Sequence, residues 1–333
     1  MSEKSKIAWT DSTLNFWEGC TKVSAGCANC YAEARDRRFT GGKLWGKGAP
    51  RRKSKSAVKD ALRFNKLPWI CDECGKSHPK QYVECLPCGS RSMHRRRIFS
   101  LSLGDWLDDE VPIEWFVEMM DTIRQCDQVT WILCTKRPEN FKVRLNAVID
   151  TDKFTSTTKW HWLIAWVAGI EVPPNIILLT SVENQEMADK RIPELLKIPA
   201  ACHGLSLEPL LGPVDLSKWL GSNMADDGIE WAIIGGESGP NARPCNVEWI
   251  RSLVAQGKAA DMATFVKQLG SNIDKNLPVQ CPKCGCISNQ EPGNDCIRGC
   301  DAKMIEQVFK DKKGGDKIEW PKDLQVQDWP KGF

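Results

Sequence analysis

Residues 129–140 read VTWILCTKRPEN, an apolar run that ends in polar and charged residues. A short, uninterrupted run of this kind, with β-branched and aromatic residues, predicts a strand that is buried on both faces. Thr135, Lys136 and Arg137 follow the apolar part directly. The segment therefore predicts a buried strand whose polar side chains begin where the strand ends.

Four other segments repeat this pattern of an apolar run followed by a polar or glycine-containing turn. They are IFSLSLGD (98–105), NIILLTSVENQ (175–185), HGLSLEPLLGP (203–213) and WAIIGGESGP (231–240). Helices are predicted between them at 112–126, 183–198 and 247–261, with Pro193 as a break or a fresh start of the second helix. Strands that alternate with helices predict a parallel sheet with crossover helices.

A further strand near LNFWEGC (14–20) brings the total to about six β/α units, which predicts a full or partial (β/α) barrel of the α/β class. In such barrels the chemistry lies at the C-terminal ends of the strands. Here those ends carry Cys20, Ser102, Asp105, Thr135, Lys136, Arg137, Ser181, Glu183, Asn184, Ser206, Glu208, Gly235, Gly236 and Glu237. Five consecutive strands that end in charged or hydroxyl groups favour a functional edge over ordinary capping of strands and helices.

The chain has 333 residues, of which 41% are hydrophobic, and this suffices for one large α/β core or two smaller domains. It contains no apolar run of transmembrane length, and its start, MSEKSKIAWTDSTLNFW, lacks the features of a signal peptide, so we expect a cytoplasmic protein. Residues 1–270 are predicted to form the barrel core, which a glycine-rich, basic insertion at 40–97 interrupts. Residues 271–333 are predicted to form a cysteine-rich extension and tail.

The formal net charge is only +3, but the cations are clustered. Residues 35–60 contain ten lysines and arginines, and a second basic run, RSMHRRR, spans 91–97. Clustered cations among glycines and aromatic residues suit a nucleic-acid backbone, and a solvated surface loop is the alternative. Trp45 and Trp69 in the insertion could stack on bases, whereas Trp131 and Trp249 are expected in the core.

Most of the sixteen cysteines lie in three groups, which in a large intracellular protein favours metal binding over disulfides. The stretch CDECGKSHPKQYVECLPCG (71–89) holds two CxxC pairs that are separated by ten residues. His78 in the intervening loop is expected to be a surface residue rather than a ligand. Four thiolates that can surround one ion tetrahedrally predict a structural zinc site. An iron–sulfur cluster or redox-active thiols are the alternatives. The predicted ligands are Cys71, Cys74, Cys85 and Cys88.

The stretch CPKCGCISNQEPGNDCIRGC (281–300) predicts a second, ribbon-like site. Zinc is again the favoured metal, and an iron–sulfur cluster is its main rival because such clusters are also held by four thiolates. Cys286 is a fifth possible ligand, so the ligand set is ambiguous. The favoured ligands are Cys281, Cys284, Cys296 and Cys300.

The remaining group, GCTKVSAGCANCYA (19–32), has three cysteines spaced C-x6-C-x2-C and no fourth nearby. A structural zinc ion would keep an open position here, and no histidine is close by in the sequence. A [4Fe–4S] cluster held by Cys20, Cys27 and Cys30 would leave one iron free for the amino and carboxylate groups of S-adenosylmethionine (SAM). This is the arrangement that radical SAM enzymes use.

The sequence resembles a three-cysteine-motif family of phage-associated radical SAM proteins related to spore photoproduct lyase. The matching stretches cover most of the chain outside 40–97 and 271–315. They are IAWTDSTLNFWEGCTKVSAGCANCYAE, LCTKRPENF, TSVENQEMADKRIPELLKIPA, LSLEPLLGPVDL, IEWAIIGGESGPNARP and FVKQLG. The first gap of six residues departs from the common C-x3-C-x2-C spacing, and the aromatic residue, Tyr31, follows the third cysteine instead of preceding it.

The resemblance implies a partial (β/α)6 barrel of radical SAM type, with a zinc-ribbon-like insertion and a C-terminal extension. It implies cluster ligation by Cys20, Cys27 and Cys30, and SAM binding by serines and a lysine after successive strands. Lys136 would pair with the SAM carboxylate, Ser181 would bond to the ribose, and Asp105 would take the methionine amino group. The full set of residues implied for the cofactor pocket is Tyr31, Ser102, Asp105, Lys136, Ser181, Glu183, Asn184, Glu208 and Glu237.

The implied reaction is reductive cleavage of SAM, with an electron from a flavodoxin or ferredoxin, followed by abstraction of a hydrogen atom from the substrate. The favoured substrate is DNA or a modified nucleotide, in the host-cell cytoplasm if the protein is phage-encoded. The most specific expectation is an isomerase that rearranges an amino-acid-bearing thymine. A tRNA, free nucleotide or peptide substrate is one alternative, and a non-catalytic zinc-ribbon protein that binds nucleic acid is another.

Two further expectations concern single features of the barrel. Cys134, at the end of its strand, is either a hydrogen-atom donor or, more simply, an inert buried thiol. The GGESG of 235–239 lacks the GxGxxG spacing of a dinucleotide-binding turn and is expected to be a close-approach turn at the last strand.

Overall fold

The computed structural model describes residues 3–151, 159–221, 228–273, 279–281, 283–284, 287–288, 293–302 and 311–333. Its strands are β1 (Ser12–Leu14), β2 (Trp17–Glu18), β3 (Arg52–Lys53), β4 (Trp69–Cys71), β5 (Ser77–His78), β6 (Met93–Arg95), β7 (Arg97–Ser100), β8 (Thr130–Thr135), β9 (Ile176–Ser181), β10 (His203–Leu207), β11 (Trp231–Gly235), β12 (Ala263–Gln268), β13 (Val279–Gln280) and β14 (Ile287–Ser288). Its α-helices are α1 (Tyr31–Thr40), α2 (Ala57–Lys66), α3 (Ile113–Gln125), α4 (Phe141–Asp150), α5 (His161–Val167), α6 (Gln185–Leu196) and α7 (Val247–Ala259). Every helix described is too short or too polar to cross a lipid bilayer.

Seven strands form one parallel sheet in the order β1-β7-β8-β9-β10-β11-β12. The sheet curls into a half-barrel, with β1 and β12 at its two edges. The order of the strands in the sheet is the same as their order in the sequence. Helical crossovers between parallel strands produce this arrangement. The prediction of an α/β protein with a partial barrel is confirmed, with seven strands instead of six.

The prediction was wrong at both edges of the sheet. The strand β12 was missed because its sequence, ATFVKQ, mixes apolar and polar residues and lacks the continuous apolar run of the central strands. The first strand covers Ser12–Leu14 and not 14–20. Residues Trp17–Glu18 pair instead with Arg52–Lys53 in a separate antiparallel ladder.

The two faces of the sheet belong to two different apolar clusters. Along β8, Trp131 and Leu133 lie in the large core that the sheet shares with the helices, which confirms the core position of Trp131. Ile132 and Cys134 belong to a second cluster that contains no helical residue, and they therefore face the concave side of the half-barrel. Trp249 is only partly buried and packs against the large core.

Aromatic side chains from both ends of the chain fill the N-terminal half of the concave face. Trp9 and Trp329 lie on either side of Trp231, with ring-centroid distances to it of 6.3 and 4.8 Å. The guanidinium of Arg97 lies 3.5 Å from the Trp329 ring centroid, and the C-terminal Phe333 packs against the same cluster. This aromatic plug makes the concave face apolar at the N-terminal ends of the strands, whereas polar side chains such as Lys136 and Ser181 lie at the C-terminal ends.

The helices agree with the predicted spans, with one difference. The spans 112–126 and 247–261 are helical at Ile113–Gln125 and Val247–Ala259. Pro193 lies inside the continuous helix α6 and is neither a break nor a start. A proline there removes one backbone hydrogen bond, and burial of Ile192 and Leu195 in the core offsets that cost.

The insertion and the tail both contact the barrel. Residues Ala57, Ala61 and Phe64 of α2 are buried in the large core, while β4, β5 and β6 form a separate three-stranded sheet in the order β5-β4-β6. Near the C-terminus, Trp320 and Leu324 also enter the large core. The apolar residues of these segments therefore stabilise the same core as the barrel helices.

The GGESG segment brings two strands close together after β11. A Cβ atom at Gly236 would lie 2.2 Å from the carbonyl oxygen of Leu269, and the Gly236 amide donates to the Gln268 carbonyl at 3.1 Å. The predicted close-approach turn is confirmed, although it follows the last strand but one. Only glycine fits this contact without a backbone shift.

We expect Gly236→Ala to lower the free energy of unfolding by about 1–3 kcal/mol, because the new methyl group overlaps backbone atoms that cannot rotate away. Gly212→Ala is the matched control, since the nearest atom to its Cβ position is 3.6 Å away. Urea denaturation of both variants measures the effect. Equal stability of the two variants would contradict the close contact.

Candidate functional site

The loop that carries Cys20, Cys27 and Cys30 runs from the end of β2 to the start of α1, with one 3-10 turn at Ala25–Cys27. It lies over the C-terminal ends of the parallel strands, where side chains from the turns after β8, β9 and β11 contact it. The loop has little regular secondary structure of its own. Side chains of the barrel therefore hold it in place.

Glu183, directly after β9, is the first anchor of this loop. Its Oε1 accepts a hydrogen bond from the Gly26 amide at 3.1 Å, and its Oε2 accepts one from Arg191 at 2.8 Å. Only 1% of Glu183 is exposed. Burial raises the pKa of Glu183, but the hydrogen bond from Ser24 and the charge of Arg191 outweigh that effect and hold the pKa below its ordinary value.

Glu237, after β11, is the second anchor. Arg243 binds its two carboxylate oxygens at 2.6 and 2.9 Å, and the Asn29 side chain donates to Oε2 at 3.0 Å. The same guanidinium donates to the Ala25 carbonyl at 2.8 Å. Burial raises the pKa of Glu237, but the bonds from Arg243 and Asn29 lower it further, so the net pKa is below its usual range.

Both carboxylates are therefore ionised at neutral pH. A carboxyl group whose pKa is lowered by folding contributes stability above its unfolded pKa and loses it as the pH falls through the folded value. The anchors thus hold at neutral pH and weaken only in acid.

Arg137 is the residue of this site whose role the sequence did not reveal. Its Nη1 and Nη2 atoms lie 3.7 and 3.8 Å from the Sγ of Cys20. Nη2 also donates to the Thr21 carbonyl at 2.7 Å, and Nη1 donates to Asp105 at 3.0 Å. Burial raises the pKa of Cys20 to about 12, and the charge of Arg137 opposes this rise by favouring the thiolate.

Asp105 has no free acceptor site in the described structure. It accepts hydrogen bonds from the Thr135 hydroxyl (2.7 Å), the Leu107 amide (3.0 Å), the Lys136 amide (2.8 Å) and Arg137 (3.0 Å). A carboxylate offers about four lone-pair sites. Its expected contact with an amino group stays a prediction, and the geometry favours a positioning role for Asp105 instead.

Lys136 and Ser181 meet at the ends of neighbouring strands, as the sequence predicted. The Nζ of Lys136 donates to the Ser181 hydroxyl at 2.9 Å, and the Sγ of Cys134 lies 3.5 Å from the same oxygen. Burial lowers the pKa of Lys136, but the nearby thiols of Cys134 and Cys27 raise it further, so the net pKa is raised. Lys136 is therefore a cation that faces the second cysteine of the loop.

Tyr31, the first residue of α1, contacts Ser102, which follows β7. The Tyr31 hydroxyl donates to the Ser102 carbonyl, and the Ser102 hydroxyl accepts from the Asn15 side chain at 3.2 Å. Tyr31 is nevertheless 59% exposed. Binding of a cofactor by either side chain stays a prediction.

Asn184 and Glu208, the last two residues predicted for the pocket, make different kinds of contact. The Asn184 side chain accepts from the Met187 amide at 3.0 Å and caps helix α6, which is a structural role. Glu208 pairs with Lys267 of β12 at 2.6 Å. Lys267 was not predicted because β12 was missed.

Half of the basic run at 35–60 is paired with carboxylates. Arg51 is fully buried against Asp108 at 2.8 Å, so it is not available to a nucleic acid, contrary to the prediction. The other paired cations are Arg35, Arg37, Arg52 and Lys53. Among the described residues the exposed cations of the run that have no ion pair are Arg38, Lys43, Lys47, Lys55 and Lys59. Trp45 and Trp69 are both half-buried.

Two groups of four cysteines are compatible with a metal ion. In each group the four sulfur atoms lie within 4.8 Å of one another, as single-ion coordination requires, and the groups are Cys71, Cys74, Cys85, Cys88 and Cys281, Cys284, Cys296, Cys300. Cys286 lies outside the described residues. The sulfur atoms of the three-cysteine loop are described and do not meet this criterion, so their arrangement is not that of a single-ion site.

The prediction that His78 lies at the surface was wrong. His78 is only 6% exposed, and its Nε2 lies 3.4 Å from the Sγ of Cys85. The hairpin formed by β4 and β5 turns the imidazole towards the four sulfur atoms. A ring N–H aimed at a metal thiolate would fix the orientation of that ligand without binding the metal.

We expect Cys74→Ser/Cys88→Ser to remove one metal equivalent from the purified protein, because two of four ligands are lost. Cys126→Ala is the control, because Cys126 is a buried thiol that belongs to none of the three cysteine groups. This variant should keep the full metal content. Inductively coupled plasma mass spectrometry measures zinc and iron together. Unchanged metal content in the double variant would contradict this site.

Comparisons with known proteins place the chain in a family without assigning it an activity. No curated protein and no solved structure matched the chain. A family model described as "Protein of unknown function (DUF5131)" matches residues 4–319, which is nearly the whole chain. The protein belongs to this family.

Proposed function

We propose that the protein is a radical SAM enzyme that holds a [4Fe–4S] cluster with Cys20, Cys27 and Cys30. The observation that carries this proposal is the placement of the three-cysteine loop over the strand ends, with the Lys136–Ser181 pair within electrostatic reach of Cys27. The carboxylate anchors Glu183 and Glu237 fix that placement. When bound, the cluster and SAM supply a carbon radical that can remove a hydrogen atom from an unactivated C–H bond.

The donor set fits this cofactor. Thiolates are the usual protein ligands of iron–sulfur clusters, and three of them leave one iron available for SAM. At least two of the three sulfur atoms lie more than 4.8 Å apart, a separation that is compatible with ligands of different irons. Arg137 adds a fixed positive charge beside Cys20 that favours its thiolate form.

The residues around the loop have separate tasks in this proposal. Lys136 binds the SAM carboxylate with its Nζ, and the Ser181 hydroxyl that now accepts from Lys136 bonds to the ribose. Asp105 orients Lys136 and Arg137 through their amide and guanidinium groups. The aromatic plug closes the N-terminal half of the concave face and so excludes water from below.

We propose a nucleic-acid substrate, with DNA favoured, and rearrangement of an amino-acid-bearing thymine as the reaction. Exposed cations of the insertion and α1 support this class. Phe39, 65% exposed, lies with its ring centroid 5.8 Å from the guanidinium of Arg35 and 5.1 Å from that of Arg38. A base in a duplex would have to be flipped out to reach the concave face. A flavodoxin or ferredoxin in the same cytoplasm would supply the electron.

A non-catalytic role in nucleic-acid binding is the second candidate, and the two four-cysteine groups favour it. Zinc ribbons and knuckles often bind nucleic acids without catalysis. A protein with that role needs only zinc. The contact between Lys136 and Ser181 would have no function in it. Iron and sulfide analysis distinguishes the two candidates.

The proposed activity predicts 5′-deoxyadenosine when the protein is reconstituted anaerobically with iron and sulfide and then given dithionite and SAM. The matched control is the Cys20→Ala/Cys27→Ala/Cys30→Ala variant, which retains both four-cysteine groups. Product from the wild type alone, measured by liquid chromatography and mass spectrometry, is the expected result. Zinc without iron in the protein and no product would overturn the proposal.

Arg137→Gln should lower the midpoint potential of the cluster by on the order of 60 mV, because a positive charge near a ligand sulfur stabilises the more negative, reduced state. Arg137→Lys keeps the charge and should retain most of the potential. A redox titration followed by electron paramagnetic resonance measures both variants. An unchanged potential in Arg137→Gln would show that the guanidinium does not act on the cluster.

A further inference from the structure

The ion pair of Glu208 and Lys267 joins two strands that are not neighbours. Glu208 directly follows β10, Lys267 belongs to β12, and β11 lies between these strands in the sheet. The two charges meet at 2.6 Å. They can do so because the intervening position at the end of β11 is Gly235, whose Cβ would lie 3.1 Å from the Glu208 Oε1.

Both side chains of this pair face the concave side. Ile233, two residues before Gly235 on β11, belongs to the concave cluster, so the Cβ position of Gly235, which lies 3.1 Å from the Glu208 Oε1, is on the concave side. On β10, Leu205 and Leu207 belong to the core on the other face, which directs Glu208 inward. The pair therefore lies beside Gly235 on the concave side, to which Cys134 also belongs.

The electrostatics of Cys134 also indicate that Glu208 lies near it. Burial raises the pKa of Cys134, and the negative charge of Glu208 contributes to that rise. Cys134 also contacts Ser181, the partner of Lys136. The Glu208–Lys267 pair and the Lys136–Ser181 pair thus border one concave space.

The other acidic groups at this edge are already engaged by the protein. Asp105 is saturated by four donors, and Glu183 and Glu237 hold the three-cysteine loop with guanidinium partners. Glu208 differs because its partner is a flexible lysine and both side chains keep solvent contact, 13% for Glu208 and 27% for Lys267, although the paired Oε1 atom is itself buried. An accessible pair can exchange its mutual contact for contacts with a ligand.

We propose that Glu208 and Lys267 bind a zwitterionic α-amino-acid group, with its ammonium at Glu208 and its carboxylate at Lys267. An α-amino acid carries both charges one carbon apart, so it can replace one ion pair by two charge-assisted hydrogen bonds. An amino-acid substituent on a nucleobase would supply this group. The nucleobase source rests on the proposed function, whereas the zwitterion site itself does not.

The test uses isothermal titration calorimetry on the full-length protein with three nucleosides. They are thymidine, thymidine whose 5-methyl carbon bears the nitrogen of glycine, and the methyl ester of that glycine adduct. We expect the wild type to bind the glycine adduct about tenfold or more tightly than the ester, because the ester has no carboxylate charge for Lys267. Lys267→Met should remove this preference, and Glu208→Gln should weaken binding of the adduct to a similar extent.

The exchange Glu208→Lys/Lys267→Glu separates binding from structure. The exchanged residues still form an ion pair across Gly235. If the pair is only structural, the variant should keep the wild-type preference for the glycine adduct over its ester. If the pair binds the amino-acid group, the variant should lose that preference. Lys331→Met is the matched control, since Lys331 forms an exposed pair with Asp261 at 2.6 Å. Melting temperatures of all variants show whether they fold.

Titration with SAM tests whether the variants also disturb the cofactor site. Unchanged SAM affinity together with loss of the adduct preference supports the nucleobase source. Loss of SAM affinity in Glu208→Gln and Lys267→Met would overturn the proposal, because the pair would then act on the cofactor and not on the substrate. Absence of any preference in the wild type, or a preference that survives in folded variants, overturns the proposal, and this holds whether or not the protein assembles a cluster.

Discussion

Two buried carboxylates hold the three-cysteine loop over the ends of the parallel strands, and the geometry of the whole site depends on them. Glu183 and Glu237 each bind a guanidinium on one side and the loop on the other. A buried charge is stable only when its partners are in place. The position of the loop therefore depends on the turns after β9 and β11, so the site requires the folded half-barrel.

The concave face is divided along the strands into an apolar half and a polar half. Trp9, Trp231 and Trp329 fill the N-terminal half, and no polar ligand could be held there without losing hydrogen bonds. At the C-terminal half, Lys136 and Ser181 lie on one wall and Glu208 and Lys267 on the other. Two separate polar walls around one space suit a reaction in which a cofactor and a substrate must be held side by side.

Much of this arrangement could be predicted from the sequence because it follows from local patterns. A continuous apolar run marks a buried strand, and the first polar residues after it must lie at the same edge of a parallel sheet. That reasoning placed Lys136, Ser181, Glu183 and Glu208 together correctly.

Contacts between distant segments were not predictable in this way. The approach of Arg137 to Cys20, the burial of Arg51 on Asp108 and the burial of His78 beside Cys85 each join side chains whose proximity no periodicity encodes. The Glu208–Lys267 pair depends in addition on a glycine in a third strand.

The central claim is that SAM completes the coordination left open by three cysteines. Electron–nuclear double resonance on the reduced protein, with SAM labelled by ¹⁵N at the amino group and ¹⁷O at the carboxylate of methionine, tests it directly. The account predicts hyperfine coupling of both labels to the cluster, which means that the methionine moiety is bound to iron. A reduced cluster that shows no coupling to either label would contradict it.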